Sequence, residues 1–195
     1  MLINFNLDLN TPHPTFAKIN NMMKGTINVP FSHFYQFVTF FMELALVQIQ
    51  NYLDTLLAES PEFFCINLKI KPTNNIKIFL DGDMGITIEK CVQINRKLYK
   101  FIEENGFYEE GDFSLEISSP GVDEPLKLIR QYQKNIGRFL EITFENDTVK
   151  EGQLMEVLEN EIIIETTEGK GKKAIIEQVT INIATIKKAI VQVRF

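Results

Sequence analysis

Leu115-Glu-Ile-Ser-Ser-Pro-Gly-Val-Asp-Glu-Pro-Leu126 separates two parts of the chain that differ in hydrophobic period. Upstream of it helical and strand-like spacings alternate; downstream every run is short and strand-like. Working back from this segment, Phe113–Ser118 reads as a strand that runs into the Ser119-Pro120-Gly121 turn. Before it, Ile88, Cys91, Ile94, Leu98, Phe101 and Ile102 share one helical face. Thr87 is a candidate cap for that helix, Glu89 sits in its first turn and Asn105-Gly106 closes it. Earlier still, Ile76–Leu80 and Phe63–Lys71 read as two strands joined by a turn at Pro72-Thr-Asn-Asn75. In the longer one, apolar Phe64, Ile66, Leu68 and Ile70 alternate with Cys65, Asn67, Lys69 and Lys71. Leu46, Ile49, Leu53, Leu56 and Leu57 recur at helical spacing and stop before Ser60-Pro61, since the residue before proline disfavours helix. The order helix, strand, strand, helix, strand predicts an α+β sandwich with the helices on one face of a small sheet.

Downstream of Leu126 the reading is all β. Leu140, Ile142 and Phe144 alternate up to an Asn146-Asp147 turn. Gly152–Leu158 and Ile162–Glu165 follow, joined at Glu159-Asn160. A Gly169-Lys-Gly-Lys-Lys173 tip leads into Ala174–Asn182, and Ile186–Val193 comes last. Five short strands with tight turns predict a small barrel of the SH3 or Sm type.

The 195 residues carry 45% apolar and 24% charged side chains, which excludes wholesale disorder and fibrous classes. Two cysteines, Cys65 and Cys91, make no disulfide framework, and a reducing cytoplasmic setting is expected. The net charge of −6 is uneven: +1 over residues 1–41, −8 over 42–126 and +1 over 127–195. An acidic middle and a neutral end with clustered lysines suggest two domains with different partners. Phe31–Val47 is rich in phenylalanine, but Ser32, His33, Gln36, Thr39 and Glu43 interrupt it, so no membrane span is expected. Residues 1–41 show no clear period and read as an irregular arm. The rival reading is that Phe31, Phe34, Phe37, Phe40 and Phe41 extend the first helix as an apolar stripe.

Little in the chain points to catalysis. Asp81-Gly82-Asp83-Met84-Gly85 lies between a strand and a helix, and paired carboxylates there could hold Mg²⁺. A calcium loop would need a glutamate where Val92 stands, and the simpler reading is a polar turn with glycines at positive φ. Ser118 and Ser119 lack a nucleophile elbow, and no histidine follows His33 to serve as a base. Zinc lacks four N/S ligands at motif spacing. No catalytic residue, metal or cofactor is therefore expected. Arg138, Lys170, Lys172, Lys173, Lys187 and Lys188 are candidate RNA-phosphate contacts, with Arg194 nearby. A solvated hairpin tip explains the three tip lysines equally well.

The Leu115–Leu126 segment resembles the E-V-S-S-P-G-L-D-R-P-L string of the ribosome maturation factor RimP family. The resemblance extends to Asp81–Gly85, to Ile86–Cys91 with Arg96 on the same helix, to Tyr132 and Gly137, and to Glu151-Gly152. It covers Leu44–Phe195. Glu124 stands where the family carries arginine. The resemblance implies a non-enzymatic factor that binds the maturing 30S subunit through an α+β domain and an Sm-like barrel. The implied partners are small-subunit ribosomal protein twelve and 16S rRNA. Asp81, Asp83, Asp123 and Glu124 are then candidates for the ribosomal protein, and a monomer is expected.

The expected organisation is an irregular or helical extension over 1–43, an α+β domain over 44–122, a linker over 123–130 and the barrel over 131–195. Because family members begin near Met42, residues 1–41 are expected to be dispensable, with translation starting at Met42. Two other classes stay open: an Sm-like small-RNA module forming a ring, and a metal enzyme using Asp81 and Asp83.

Overall fold

The computed structural model describes residues 31–71, 74–108, 111–169 and 175–193, with side chains from Glu43 onward except at Glu168. The arm up to Pro30, part of the first hairpin turn, the tip lysines Lys170, Lys172 and Lys173, and Arg194 lie outside the described residues. The fold is α+β, with helices and two separate sheets. Two compact units share the chain: residues up to Glu59, Leu68–Ile78 and Glu89–Ile117 form one, while Ser60–Asn67, Phe79–Ile88 and Ser118–Phe195 form the other.

Helix α1 (Phe31–Ala58) begins immediately after Pro30, well before Leu44. The irregular reading of residues 31–41 is thus corrected: the backbone there is helical, and Met42 lies inside the helix rather than ahead of it. Ile49 and Leu53 are fully buried, with Ala45, Leu56 and Leu57 close behind.

The three-stranded sheet has the order β1 (Phe63–Lys71), β2 (Asn75–Gly82), β3 (Ser114–Ser118). The central strand buries Ile76, Ile78 and Leu80 completely, as an alternating strand requires. At the edge, β1 buries only Phe64 among its four alternating apolar positions, and the other three are half-buried. Helix α2 (Ile88–Glu104) buries Cys91, Ile94, Leu98 and Ile102, four of the six residues expected on its inner face. Ile88, in its first turn, is 79% exposed, against expectation. Tyr52 stacks on Phe101 at 4.1 Å, and Tyr99 meets Phe113 at 4.7 Å. Gly106, at φ 60°, closes the helix as Asn105-Gly106 foretold.

In the second unit, a short helix α3 (Ile129–Lys134) precedes five antiparallel strands, β4 (Phe139–Phe144), β5 (Val149–Val157), β6 (Glu161–Glu168), β7 (Ile175–Asn182) and β8 (Ile186–Gln192). Their order is β7-β6-β5-β4-β8, so the last strand lies beside the first. Leu140, Ile142, Leu154, Ile162 and Ile164 form the fully buried centre, joined by Tyr132, Ile181, Ala189 and Val191. Among the described residues the closed barrel expected from the strand count is not formed: β7 and β8 are both outer strands of the sheet. Most of β7 is exposed, including Ile175 at 68% and Ile176 at 64%, so this edge lacks the burial that closure demands. Gly152 is required where β5 crosses β6, because a Cβ there would lie 2.8 Å from the Glu165 carbonyl oxygen.

Candidate functional site

The loop Asp81–Gly85 leaves β2 and turns back sharply. Gly85 N–H donates to the Gly82 carbonyl at 2.8 Å, and Asp83 N–H to the Glu62 carbonyl at 3.0 Å. A Cβ on Gly82 would lie 2.4 Å from the Gly85 carbonyl oxygen, so this turn admits only glycine there. Of the two glycines expected at positive φ, Gly85 has φ 90° but Gly82 does not lie in that region; close approach of the backbone, not φ, demands glycine at 82.

Both aspartates of this loop face cations of α3. Asp81 is 3% exposed; one carboxylate oxygen accepts the Gly82 N–H at 2.8 Å and the other accepts the Lys134 ammonium. Asp83 is exposed and accepts a two-pronged bond from Arg130, at 2.8 Å from Nε and 2.6 Å from Nη2. The same guanidinium donates to the Pro61 carbonyl at 2.7 Å and covers the Phe64 ring at 4.4 Å from its centroid. The Arg130 hydrogen bonds hold the Asp83 carboxyl below its ordinary range, and in return those bonds raise the pKa of the guanidinium. Gln131 steadies the start of α3, its side-chain oxygen accepting from Lys127 N at 2.8 Å and Leu128 N at 3.1 Å.

Arg130 and Lys134 stand at i and i+4, about 6 Å apart along the axis of α3. The pairing runs in the opposite direction: Lys134 meets Asp81 at the end of β2, and Arg130 meets Asp83 in the turn beyond it. These cations were missed in the sequence because 53 and 47 residues separate the partners. The available signal was two cations at i and i+4 following two carboxylates at i and i+2. With both carboxylates satisfied by protein cations, the arrangement favours architecture over metal chemistry. No cluster of three or more metal-ligating side chains occurs among the described residues.

The remaining candidates are dispersed. Asp123 and Glu124 are exposed in the turn after Gly121, and the following segment is tied to β8 through Leu126 N–H and the Ala189 carbonyl at 2.8 Å. Arg138 is exposed, with Nη1 3.4 Å from Asn135 Oδ1. Lys187 pairs with Asp147 at 2.6 Å, and Lys188 is exposed beside it. Burial pushes the Cys91 thiol up, as expected of a packing residue.

A relative in Flavobacterium psychrophilum, "Ribosome maturation factor RimP", is 41% identical over 154 residues, which is 76% of this chain and 97% of the relative. The chain belongs to the RimP family. A RimP of Christiangramia forsetii is 38% identical over the same shares, 76% and 97%. One of Cytophaga hutchinsonii is 32% identical over 71% of this chain and 84% of its own. The model of the RimP N-terminal domain matches residues 56–123, a span that includes the Asp81–Gly85 loop and ends at Asp123. RimP proteins are named ribosome maturation factors, which places this chain in ribosome biogenesis. No helix among the described residues is long and apolar enough to cross a membrane.

Proposed function

We propose that this protein is a non-catalytic assembly factor that binds the maturing 30S subunit in the cytoplasm as a monomer. Membership of the RimP family over nearly the whole length of a relative carries this reading. Charge supports a division of labour within it. Residues 42–126 are acidic, with a net −8, and suit a basic partner such as small-subunit ribosomal protein twelve. Asp83, Asp123 and Glu124 are exposed candidates for that contact, with Asp81 holding the loop beneath. Arg138, Lys187 and Lys188, together with Lys170, Lys172 and Lys173, would touch 16S rRNA phosphates. The overall negative charge keeps attraction to arbitrary RNA weak, which suits a factor that must leave. We infer that the second sheet is of the Sm-like kind, because its last strand returns to its first. Domains over 44–122 and 131–195 joined by a linker at 123–130 are inferred from the change from mixed to strand-like hydrophobic period along the sequence. Cells lacking the protein are expected to accumulate free small subunits that fail to join 70S ribosomes; normal subunit ratios would refute the proposal.

The exposed edge of β7, with Ile175 and Ile176, favours one rival, a ring-forming RNA module. Sedimentation equilibrium separates them: a monomer supports the assembly factor, and a closed ring supports the rival.

A further inference from the structure

We propose that Asp83, the Pro61 carbonyl and the Phe64 ring form a guanidinium seat that Arg130 occupies in the free protein and an arginine of the ribosomal partner takes over on binding. The inference rests on the reading above that Asp83 belongs to the protein-binding surface. Three chemically distinct groups converge on one planar cation. The carboxylate takes two N–H bonds at 2.8 and 2.6 Å, the carbonyl a third at 2.7 Å, and the ring lies 4.4 Å from the guanidinium carbon. A lysine could satisfy the charge but not the fork and the stacking together. The seat therefore selects arginine, an abundant side chain of basic nucleic-acid-binding proteins.

Exposure separates this pair from its neighbour. The Arg130 and Asp83 side chains are 36% and 50% exposed, whereas Lys134 and Asp81 are 26% and 4% exposed. Exposed ion pairs contribute little to stability, so an incoming guanidinium can replace Arg130 with the same bonds re-formed. A buried carboxylate gives no such exchange, because it would be left unpaired during the swap. Lys134 and Asp81 thus hold the loop in place while Arg130 and Asp83 trade partners. Arg130 acts as an internal competitor, and the apparent affinity of the partner is reduced by the fraction of time the seat is filled. For a two-pronged pair at the upper end of surface strength that reduction is about fivefold.

The test is calorimetric titration of the full chain with small-subunit ribosomal protein twelve. Asp83→Asn is expected to weaken binding. Arg130→Gln is expected to tighten it about fivefold, and to change nothing when Asp83→Asn is already present. Arg130→Lys is expected to tighten it to a lesser degree, and it decides the matter should the glutamine variant not fold. In the unaltered protein, the Arg130 Nε–H resonance is expected to shift on saturation with partner. Unchanged binding by Asp83→Asn would overturn the assignment of Asp83 to the partner surface. Weaker or unchanged binding by the Arg130 variants, with Asp83→Asn weakened, would overturn the exchange alone and leave that surface standing.

Discussion

The ammonium of Lys134 rests on the carboxylate of Asp81, 53 residues earlier in the chain, and Asp81 is 3% exposed. Removing the cation while keeping the carboxylate leaves a buried charge without its partner. Lys134→Met is therefore expected to destabilise the protein by about 3 kcal/mol, read as a lower urea midpoint at unchanged slope. Asp81→Asn combined with Lys134→Met is expected to recover much of that loss, since the stranded charge is gone. A shift below about 0.5 kcal/mol for Lys134→Met, the range of an ordinary surface substitution, would contradict the pairing.

Gly82 and Gly85 make opposite predictions about the same turn. A Cβ on Gly82 meets the Gly85 carbonyl oxygen at 2.4 Å and Phe63 Cδ1 at 2.8 Å, so Gly82→Ala is expected to cost about 3 kcal/mol through backbone displacement. Gly85 has open space around its Cβ position but φ 90°, so Gly85→Ala is expected to cost about 1–2 kcal/mol from backbone strain alone. Thermal unfolding of the two variants side by side gives the order, and a more damaging Gly85→Ala would contradict the turn.

Local periodicity makes most elements legible in the sequence. Cys91, Ile94, Leu98 and Ile102 lie where the helical spacing put them, and Leu140 and Ile142 alternate inward as read. Ile88 broke the pattern because a residue in the first helical turn need not lie over the core. The start of α1 at Phe31 was obscured by asparagines and prolines upstream, although the phenylalanine spacing carried the signal. Sheet closure could not be read from strand count, since it depends on whether β7 and β8 meet. Arg130 and Lys134 were missed for a similar reason: the two carboxylates and the two cations each carry a spacing, but some fifty residues separate them and no local pattern joins the two.

Tyr132 sets an alkaline limit on stability. It is 2% exposed, and burial pushes its hydroxyl up to about 12. An unfolded tyrosine ionises near 10, so above that pH the unfolded chain loses a proton that the folded one keeps. Stability contributed by this group is full below pH 10 and is lost as pH rises toward 12, at up to about 1.4 kcal/mol per pH unit. Tyr132→Phe is expected to flatten that limb in denaturation curves taken from pH 9 to 12. An identical limb in the variant would assign the effect elsewhere.

The tip lysines make a prediction about salt. Changing Lys170, Lys172 and Lys173 together to alanine is expected to weaken 30S binding and to reduce the slope of log affinity against log salt by up to about 2–3. Filter binding across a salt series measures it, with a thermal melt confirming that the fold survives. An unchanged slope would return these residues to a solvated hairpin tip.

Sucrose-gradient sedimentation of the protein in extracts of its own cells tests the central claim most directly. As a factor for small-subunit maturation, it is expected to travel with free 30S particles and to be absent from the 70S peak. Equal distribution between 30S and 70S particles, or failure to sediment with either, would contradict the account.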